Sequence, residues 1–285
     1  MIKHPHFDLD LHTTEELSAL LGEPVTERAH LHSWPLSSVE RLTTASGQRW
    51  VYKSQHAPTF EPEVYAAVRS PLLPGHRLLT RDAERATMLL EFIDAPVLRD
   101  LALPADELAR HGRALVEAVG TIEADVPVYV DIASRARWAA FVDRVLAMLA
   151  ALTADGRLTL SVDGDVSDVA AWAASPEVLA LIDTTSRLTH GDGNPGNAFL
   201  TADGYRIIDW QQPKLAPRDT DLVCLLEGYP TLFEHAPAPA IGVFYMLRLH
   251  WAVEAKTHLL PQITGVFDRW SSDALSFIRQ AAASV

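Results

Sequence analysis

One segment decides how the chain is interpreted, Leu188-Thr189-His190-Gly191-Asp192-Gly193-Asn194-Pro195-Gly196-Asn197, together with the hairpin after it that ends in Ile207-Ile208-Asp209-Trp210. It brings the carboxylates of Asp192 and Asp209, the imidazole of His190 and the amide of Asn197 into about twenty residues between alternating apolar runs. Phosphoryl transfer needs such a set, because one carboxylate accepts a hydroxyl proton while an amide and a second carboxylate hold magnesium. Asp192 and Asn197 stand at the Asp-x4-Asn spacing of that chemistry.

The residues after Asn197 predict a tight hairpin. Apolar runs at residues 198–200 and 205–208 flank an Asp-Gly pair, which is a strong turn signal. The hairpin would return Asp209 beside Asn197. Two oxygen ligands on adjacent strand ends suit Mg²⁺, which keeps several waters and takes few protein ligands. Asp192 would then point at the incoming hydroxyl group.

The N-terminal third of the chain has the pattern of a sheet. A capped helix is predicted at residues 13–21, and a second helix at residues 63–68. Strands are predicted at residues 25–34, 38–44, 49–54, 78–80 and 87–92.

Lys53 occupies an unusual position in the third of these strands. It alternates with Val51 toward what should be an inward face, where an ammonium group needs a partner. Glu63 is the first candidate and Glu61 the second. On the strand alone, a lysine whose stem lies along the sheet with a solvated charge is the favoured interpretation, and the downstream Asp192–Asn197 loop reverses that preference.

The remainder of the chain is mainly helical in pattern, which predicts an α+β protein with a boundary near residues 93–98. Helices are expected at residues 106–124, 137–152, 166–182 as one or two segments, 219–228, 239–260 and 265–283, with a loop or short hairpin at 156–164.

Composition limits the classes of protein. The 285 residues are 48% hydrophobic and 21% charged, so most of the chain should fold. A net charge of −13 disfavours nucleic acid as a partner, whereas it suits either a cationic substrate or simple solubility. With no long apolar run and no secretory signal, we expect a soluble cytoplasmic protein without membrane contact, monomeric or dimeric. The single cysteine, Cys224, excludes a disulfide framework.

The chain resembles the aminoglycoside phosphotransferase and choline kinase-like family, whose fold is similar to that of protein kinases. The matching residues are 190–197, then Ile208-Asp209-Trp210, then Asp221-Leu222 at the start of a predicted helix. The resemblance implies a two-lobed protein kinase-like fold. Its small antiparallel-sheet lobe would comprise residues 1–94, with a hinge at about 91–96, and its larger helical lobe residues 97–285, with the catalytic loop and the acceptor site.

The resemblance also implies how phosphoryl transfer is divided among these residues. Asp192 would be the catalytic base, and Asn197 and Asp209 would bind Mg²⁺. Lys53 would contact the phosphates of ATP or GTP, with Glu63 holding it in place.

Further implied roles concern the nucleotide base and the support of the loop. The backbone at Glu91 and Ile93 would meet the purine edge. Asp221 would brace the catalytic loop, and His190 looks like a scaffold residue in the family, not a proton carrier.

The chain departs from protein kinases where their glycine-rich loop covers the phosphates. The first two strands of the sheet are joined around residues 34–38, which include no glycine. The backbone amides of Ser37 and Ser38 are the candidates for this contact.

The predicted acceptor is a hydroxyl group of a small molecule, for example an aminoglycoside antibiotic, which would make the protein a resistance enzyme, or a related metabolite. Because the helical lobe grips the acceptor in the resembling family, four acidic residues are candidates for a cationic acceptor. They are Glu227, Glu234, Glu254 and Asp268. The alternative is that each is an ordinary solvated carboxylate on a helix face.

Two other functions share features with this sequence. A pseudokinase would bind nucleotide without chemistry, which the missing glycine loop favours. It is disfavoured by the intact Lys53, Asp192, Asn197 and Asp209. A two-metal phosphoesterase would use the Asp10-Leu11-His12 triplet with Asp192. The phosphoesterase fails on order, since that triplet precedes a helix and lies far upstream of the Gly-Asp loop.

Overall fold

The computed structural model describes residues 1–160 and 165–284, and the chain divides into two compact units. The first unit consists of Met1–Ala102, Ile122–Tyr129 and Pro195–Pro213, and the second of Leu103–Thr121, Val130–Asn194 and Lys214–Val285. Asp192 therefore belongs to the second unit, and Asn197 and Asp209 belong to the first. Residues 161–164 of the loop predicted at 156–164 lie outside the described residues.

The elements of residues 1–102 follow the predicted order closely. They are β1 (Ile2–Lys3), β2 (Asp10–Leu11), α1 (Thr14–Leu21), β3 (Val25–Trp34), β4 (Ser37–Thr44), β5 (Arg49–His56), α2 (Glu61–Ala67), β6 (His76–Arg81) and β7 (Arg85–Glu91), followed by a 3-10 helix at Leu98–Leu101.

The later elements are mainly helical. They are α3 (Ala105–Gly120), β8 (Val130–Asp131), α4 (Arg135–Ala154), α5 (Asp165–Ala173), α6 (Pro176–Thr185), β9 (Ser186–Thr189), β10 (Ala198–Thr201), β11 (Gly204–Ile207), β12 (Lys214–Pro217), α7 (Asp219–Leu225), α8 (Leu232–His235), α9 (Ala238–Glu254), a π-helical turn at Ala255–Leu259, and α10 (Val266–Ala283).

The first unit is built on an antiparallel five-stranded sheet in the order β3-β4-β5-β7-β6. Lys53 lies on the central strand β5, opposite Val39 of β4 and Met88 of β7. Beside the sheet, α1 is closed by the predicted capping box, because Thr13 Oγ1 accepts from the Glu16 amide and Glu16 Oε2 accepts from the Thr13 amide. The core of this region consists of Leu11, Leu17, Val25, Leu42, Tyr52 and Leu89.

The predicted hairpin after Asn197 is present as β10 and β11. Ala198 pairs with Ile207, and Thr201 pairs with Gly204 at the turn. Gly204 has a φ of 117°, which a residue with a side chain rarely adopts. The hairpin is attached to the first unit by two backbone bonds, from the Ile207 amide to the Leu72 carbonyl and from the Leu200 amide to the Pro96 carbonyl.

The second unit contains the long helices and a small sheet that the sequence analysis missed. In that sheet β12 lies between β8, which is parallel to it, and β9, which is antiparallel. Its strands are two to four residues long, too short to show a period of alternation. Helix α9 is apolar on nearly every face and is buried for most of its length, as expected of a central helix.

The fold class predicted from the sequence is confirmed, since a small antiparallel sheet precedes a mainly helical remainder. The segment at 166–182 forms two helices, α5 and α6, which are separated where Ser175 caps α6 and Pro176 begins it. Among the described residues, no helix combines the length and apolarity that crossing a membrane requires.

Candidate active site

Lys53 is the centre of a buried ion network in the first unit. Its side chain is 6% exposed, and its Nζ lies 2.6 Å from Glu61 Oε2 and 2.5 Å from Asp209 Oδ1. Burial disfavours the charge of Lys53, but the carboxylates of Asp209 and Glu61 outweigh burial and raise the pKa of its ammonium group. Lys53 is therefore a fixed positive charge, and the interpretation of a solvated lysine is excluded.

The partner of Lys53 on α2 is Glu61 and not Glu63, which corrects the first choice made from the sequence. Glu61 is the first residue of α2 and is fully buried against β5. Glu63 is two positions later, about 200° around the helix, and its carboxylate binds Arg81 of β6 at 2.8 Å. The rotation of α2 about its axis, which the sequence does not show, decides between them.

The backbone brings Asn197 and Asp209 to neighbouring strand ends. The Ile208 amide donates to the Asn197 carbonyl at 3.0 Å, which continues the β10–β11 ladder by one step. Asp209 is the next residue, and its side chain is 32% exposed. An amide oxygen and a carboxylate here are hard oxygen donors, the chemistry that Mg²⁺ prefers, so these residues fit such an ion.

Asp209 is held in an unfavourable backbone conformation. Its φ of 70° lies in the left-handed region, which is uncommon for residues other than glycine. The following residues hold it there: Trp210 is fully buried, Gln211 Nε2 donates to Gln55 Oε1 at 3.1 Å, and the Phe60 amide donates to the Gln211 carbonyl at 3.0 Å. Strain of this kind is retained where the surroundings over-determine it, often at functional sites.

Ser37 and Ser38 are the first two residues of β4, which begins one residue before the strand predicted at 38–44. Both are buried and are paired with β3 and with β5. Their hydroxyl groups bond within the hairpin, since Trp34 Nε1 donates to Ser37 Oγ at 2.8 Å and Ser38 Oγ lies 2.8 Å from Ser33 Oγ. A role of their amides toward phosphates stays a prediction.

Glu91 ends β7 at the place where the nucleotide base is predicted to lie. Its amide donates to the Gly75 carbonyl at 2.7 Å, and its Oε2 accepts from the Gly75 amide at 2.9 Å. Ile93 follows in the segment without regular structure and is half-buried. The contact of this backbone with a purine edge stays a prediction.

In the second unit, Asp221 and His190 shape the catalytic loop. Asp221 is at the start of α7 and accepts from the amides of His190 at 2.7 Å and Gly191 at 3.0 Å. Burial raises the pKa of Asp221, although these bonds and the His190 ring act against the rise. His190 is buried, and its Nδ1 accepts from the Asp192 amide at 3.3 Å, a geometry that suits the predicted scaffold role.

Asp192, the candidate base, lies in a turn stabilised by its neighbours. The Asn194 amide donates to the Asp192 carbonyl at 2.8 Å, and Asn194 Nδ2 lies 3.4 Å from Asp192 Oδ2. Cys224 Sγ of α7 is 4.0 Å from Asp192 Oδ1. Burial raises the pKa of the Cys224 thiol well above its usual range, so the thiol is neutral beside the carboxylate.

Lys214 is a second buried lysine, and the sequence analysis missed it. It begins β12, is 6% exposed, and its Nζ donates to the Gly191 carbonyl at 2.6 Å. Burial lowers the pKa of Lys214 to about 8, although the charges of Asp192 and Asp221 favour the ammonium form. Its signal in the sequence is only a lysine in a short apolar run, which is a weak one.

A pocket of about 220 Å³ lies in the second unit. It is lined by Glu227, Tyr245, Arg248, Trp251, Trp270 and Asp273. Arg248 Nη2 binds Glu227 Oε2 at 2.5 Å, and its guanidinium group lies over the Phe244 ring, 5.2 Å from the centroid. The pKa of Arg248 is raised, since the nearby Cys224, Glu227 and Asp192 groups outweigh burial. The pocket is therefore close to the candidate base.

Of the four acidic residues proposed for the acceptor, only Glu227 lines this pocket. Asp268 is instead a structural residue, because its Oδ1 accepts from the Thr159 amide at 2.6 Å and from Thr159 Oγ1 at 2.7 Å. Glu234 is in α8, and Glu254 ends α9. Trp251 and Trp270 contribute aromatic side chains to the pocket wall.

Asp10 and His12, which the phosphoesterase alternative would use as metal ligands, bind neighbouring side chains of the first unit. Asp10 Oδ2 accepts from Arg85 at 3.0 Å, and His12 Nδ1 lies 3.1 Å from the Tyr52 hydroxyl group. These contacts attach the β2 segment to the sheet of the first unit.

The fold is similar to that of solved kinase-like phosphotransferases. Residues 37–255 match the family model of the phosphotransferase enzyme family. The chain therefore belongs to that family, and the predicted class of enzyme, a phosphotransferase, is confirmed. No curated protein sequence matches the chain at a significant level.

Solved structures similar to this chain share its fold at low sequence identity. One is a choline/ethanolamine kinase family protein from Mesorhizobium loti, with 16% identity and a TM-score of 0.62, covering 90% of this chain and 87% of that one. Another is a thermostable mutant of the aminoglycoside phosphotransferase APH(4)-Ia with ADP and hygromycin B, with 13% identity, a TM-score of 0.61 and coverages of 95% and 98%. A third is a putative fructosamine-3-kinase from Thermobifida fusca, with 19% identity, a TM-score of 0.54 and coverages of 96% and 99%.

Proposed function

We propose that the protein is a small-molecule kinase that transfers the γ-phosphoryl group of ATP or GTP to a hydroxyl group. Asp192 orients and deprotonates that hydroxyl, and Lys53 stabilises charge on the phosphates. Asn197 and Asp209 would hold Mg²⁺, which neutralises charge on the phosphate oxygens when bound. The observation that carries the proposal is the Lys53–Asp209 contact at 2.5 Å.

The ion network of the first unit supports the nucleotide part of the proposal. A lysine buried between two carboxylates is costly for a merely structural role, because each charge loses its hydration. A phosphate group that replaced part of this network would find a lysine already fixed in place by Glu61. The compact loop in the second unit supports the base, since Asp221 and His190 both bond to the backbone beside Asp192.

The pocket of the second unit is the proposed acceptor site. Glu227 and Arg248 neutralise each other, so Asp273 is left as its net charge, next to the aromatic faces of Trp251 and Trp270. Such a pocket suits a hydroxylated compound that has an apolar or ring body and a positive group. Aminoglycosides, other hydroxylated antibiotics, sugars and amino alcohols are the compounds to compare. If the acceptor is an antibiotic, the protein would be a resistance enzyme.

The proposal is tested by measuring acceptor-stimulated release of ADP or GDP from the Mg²⁺ nucleotide with each class of compound. We expect one class to stimulate release strongly in the wild type. Asp192→Asn should lose about 10²- to 10⁴-fold in turnover, the usual contribution of a general base, while nucleotide affinity and melting temperature stay unchanged. Full turnover in Asp192→Asn would contradict the role of Asp192. Nucleotide binding without turnover for any acceptor would favour the pseudokinase alternative.

A further inference from the structure

Lys214 has no direct role in the proposed phosphoryl transfer. A lysine is rarely buried to 6% exposure, and the Nζ of this one donates to a backbone carbonyl at 2.6 Å. The carbonyl belongs to Gly191, the residue before Asp192. Gly191 has a φ of 81°, so the loop turns sharply at the point where the ammonium group binds it.

Two charged side chains, Asp221 and Lys214, bind the loop backbone at residues 190–191. Asp221 accepts from the amides of His190 and Gly191 on one side of the loop. Lys214 donates to the Gly191 carbonyl, and its own strand pairs with β9, where Lys214 is opposite Thr189. Asp221 thus binds the amide of Gly191 and Lys214 binds its carbonyl, so the peptide planes on both sides of Gly191 are held, and Lys214 holds the one that leads into Asp192.

We propose that Lys214 is a positioning residue, whose ammonium group holds the Gly191 carbonyl and so sets the direction of the Asp192 carboxylate. The inference rests on the proposed role of Asp192 as the base. Lys214 does not touch the substrate; it acts through the loop. The groups that face it are Asp192 on the loop, Asp221 and Cys224 on α7, and Arg248 and His250 on α9.

The protonation of Lys214 gives the proposal a pH signature. Burial lowers the pKa of Lys214 to about 8, so the ammonium group is lost in mildly alkaline solution. The other facing groups do not ionise there: the pKa of Cys224 is well above its usual range, and His250 is already neutral. Turnover should therefore fall above about pH 8 in the wild type.

The test compares the wild type, Lys214→Arg and Lys214→Met, using Mg²⁺-ATP with water as the acceptor and ADP release as the readout. Lys214→Met should lower kcat by about 10- to 100-fold with the KM for ATP unchanged, the loss that a small misplacement of a catalytic group causes. Lys214→Arg should recover part of kcat and lose the alkaline decline, because a guanidinium group stays charged. A wild-type kcat in Lys214→Met, or the same alkaline decline in Lys214→Arg, would overturn the proposal.

A second measurement does not depend on turnover. Hydrogen exchange of the peptide that contains residues 188–197 should be faster in Lys214→Met than in the wild type, while exchange in the five-stranded sheet and the melting temperature stay the same. Unchanged exchange in this peptide would show that Lys214 does not position the loop. If no class of acceptor stimulates ADP release in the wild type above the level of Asp192→Asn, the proposed function fails, and hydrogen exchange still decides the role of Lys214.

Discussion

Lys53 Nζ and Asp209 Oδ1 lie 2.5 Å apart although 156 positions separate them in the chain. Lys53 is on the central strand of the five-stranded sheet, and Asp209 follows the β10–β11 hairpin. The contact joins a strand lysine to a candidate metal ligand within one compact unit. The proposed phosphoryl transfer requires the lysine and this candidate metal ligand to lie close together in the first unit.

In variants of the Lys53 network, we expect stability to be recoverable without recovery of activity. Lys53→Met leaves the fully buried Glu61 carboxylate without its cation, which should reduce the free energy of unfolding by about 3–5 kcal/mol and abolish turnover. The double variant Lys53→Met/Glu61→Gln removes both charges and should recover much of that stability without recovering turnover. Urea unfolding and steady-state kinetics measure the two effects.

Glu63→Gln is the matched control for Glu61→Gln. Its carboxylate pairs with Arg81 at a partly exposed site, so its loss should change stability by about 1 kcal/mol or less and leave kcat near that of the wild type. Glu61→Gln should reduce kcat, because Lys53 loses the carboxylate that holds it. If Glu63→Gln were the more damaging variant, the assignment of Glu61 would be wrong.

Substitutions in the acceptor pocket should weaken binding of the acceptor without changing binding of the nucleotide. Trp270→Ala and Asp273→Asn should each raise the KM of a stimulating acceptor about tenfold, because they remove an aromatic face and a carboxylate from the pocket wall. The KM for ATP should not change. Glu234→Gln, which alters an acidic residue outside the pocket, serves as the control, and an equal effect there would argue against this site.

We expect Gly242 to be required for the close packing of α9 against Trp172 in the second unit. A Cβ at this position would lie 2.1 Å from Cζ2 of Trp172, which is buried and packs edge-to-face on Trp138. Gly242→Ala should therefore lower the free energy of unfolding by about 1–3 kcal/mol, despite the better helix propensity of alanine.

Gly120→Ala is the corresponding control on α3. Its Cβ would meet only the end of the exposed Arg187 side chain, at 3.2 Å, which can move aside. Chemical denaturation of both variants should show a loss for Gly242→Ala and none for Gly120→Ala. Equal stability of the two variants would contradict the packing described for α9.

His250 should make the protein sensitive to acid. Burial, reinforced by the charges of Arg144 and Lys214, lowers the pKa of His250 from 6.5 to about 3. Between these values only the unfolded chain binds the proton, so stability is complete above about pH 6.5 and falls as the pH decreases toward 3. The ceiling of the loss is on the order of 5 kcal/mol.

The contribution of His250 can be isolated with His250→Gln, which cannot take up the proton. The difference in the free energy of unfolding between the variant and the wild type should shift in favour of the variant as the pH is lowered from neutral. A difference that is independent of pH would show that His250 is not the group responsible.

The sequence by itself determined the local elements and the family. The capping box at Thr13, the strands of the sheet and the Asp-Gly hairpin follow from patterns within a few residues, where propensity and turn chemistry act directly. The same locality explains the misses, since β8, β9 and β12 are too short to carry a periodic signal and are stabilised only by pairing with one another.

Only the tertiary structure decided which side chains meet. The choice of Glu61 over Glu63 depends on the rotation of α2 about its axis, and the burial of Lys214 under Gly191 depends on the register of β12 against β9. The pocket with Arg248 likewise collects residues from α9, α10 and the end of α7, which no spacing in the chain relates. Contacts of this kind are set by how whole elements pack, because a side chain's direction and burial depend on neighbours that are distant in sequence.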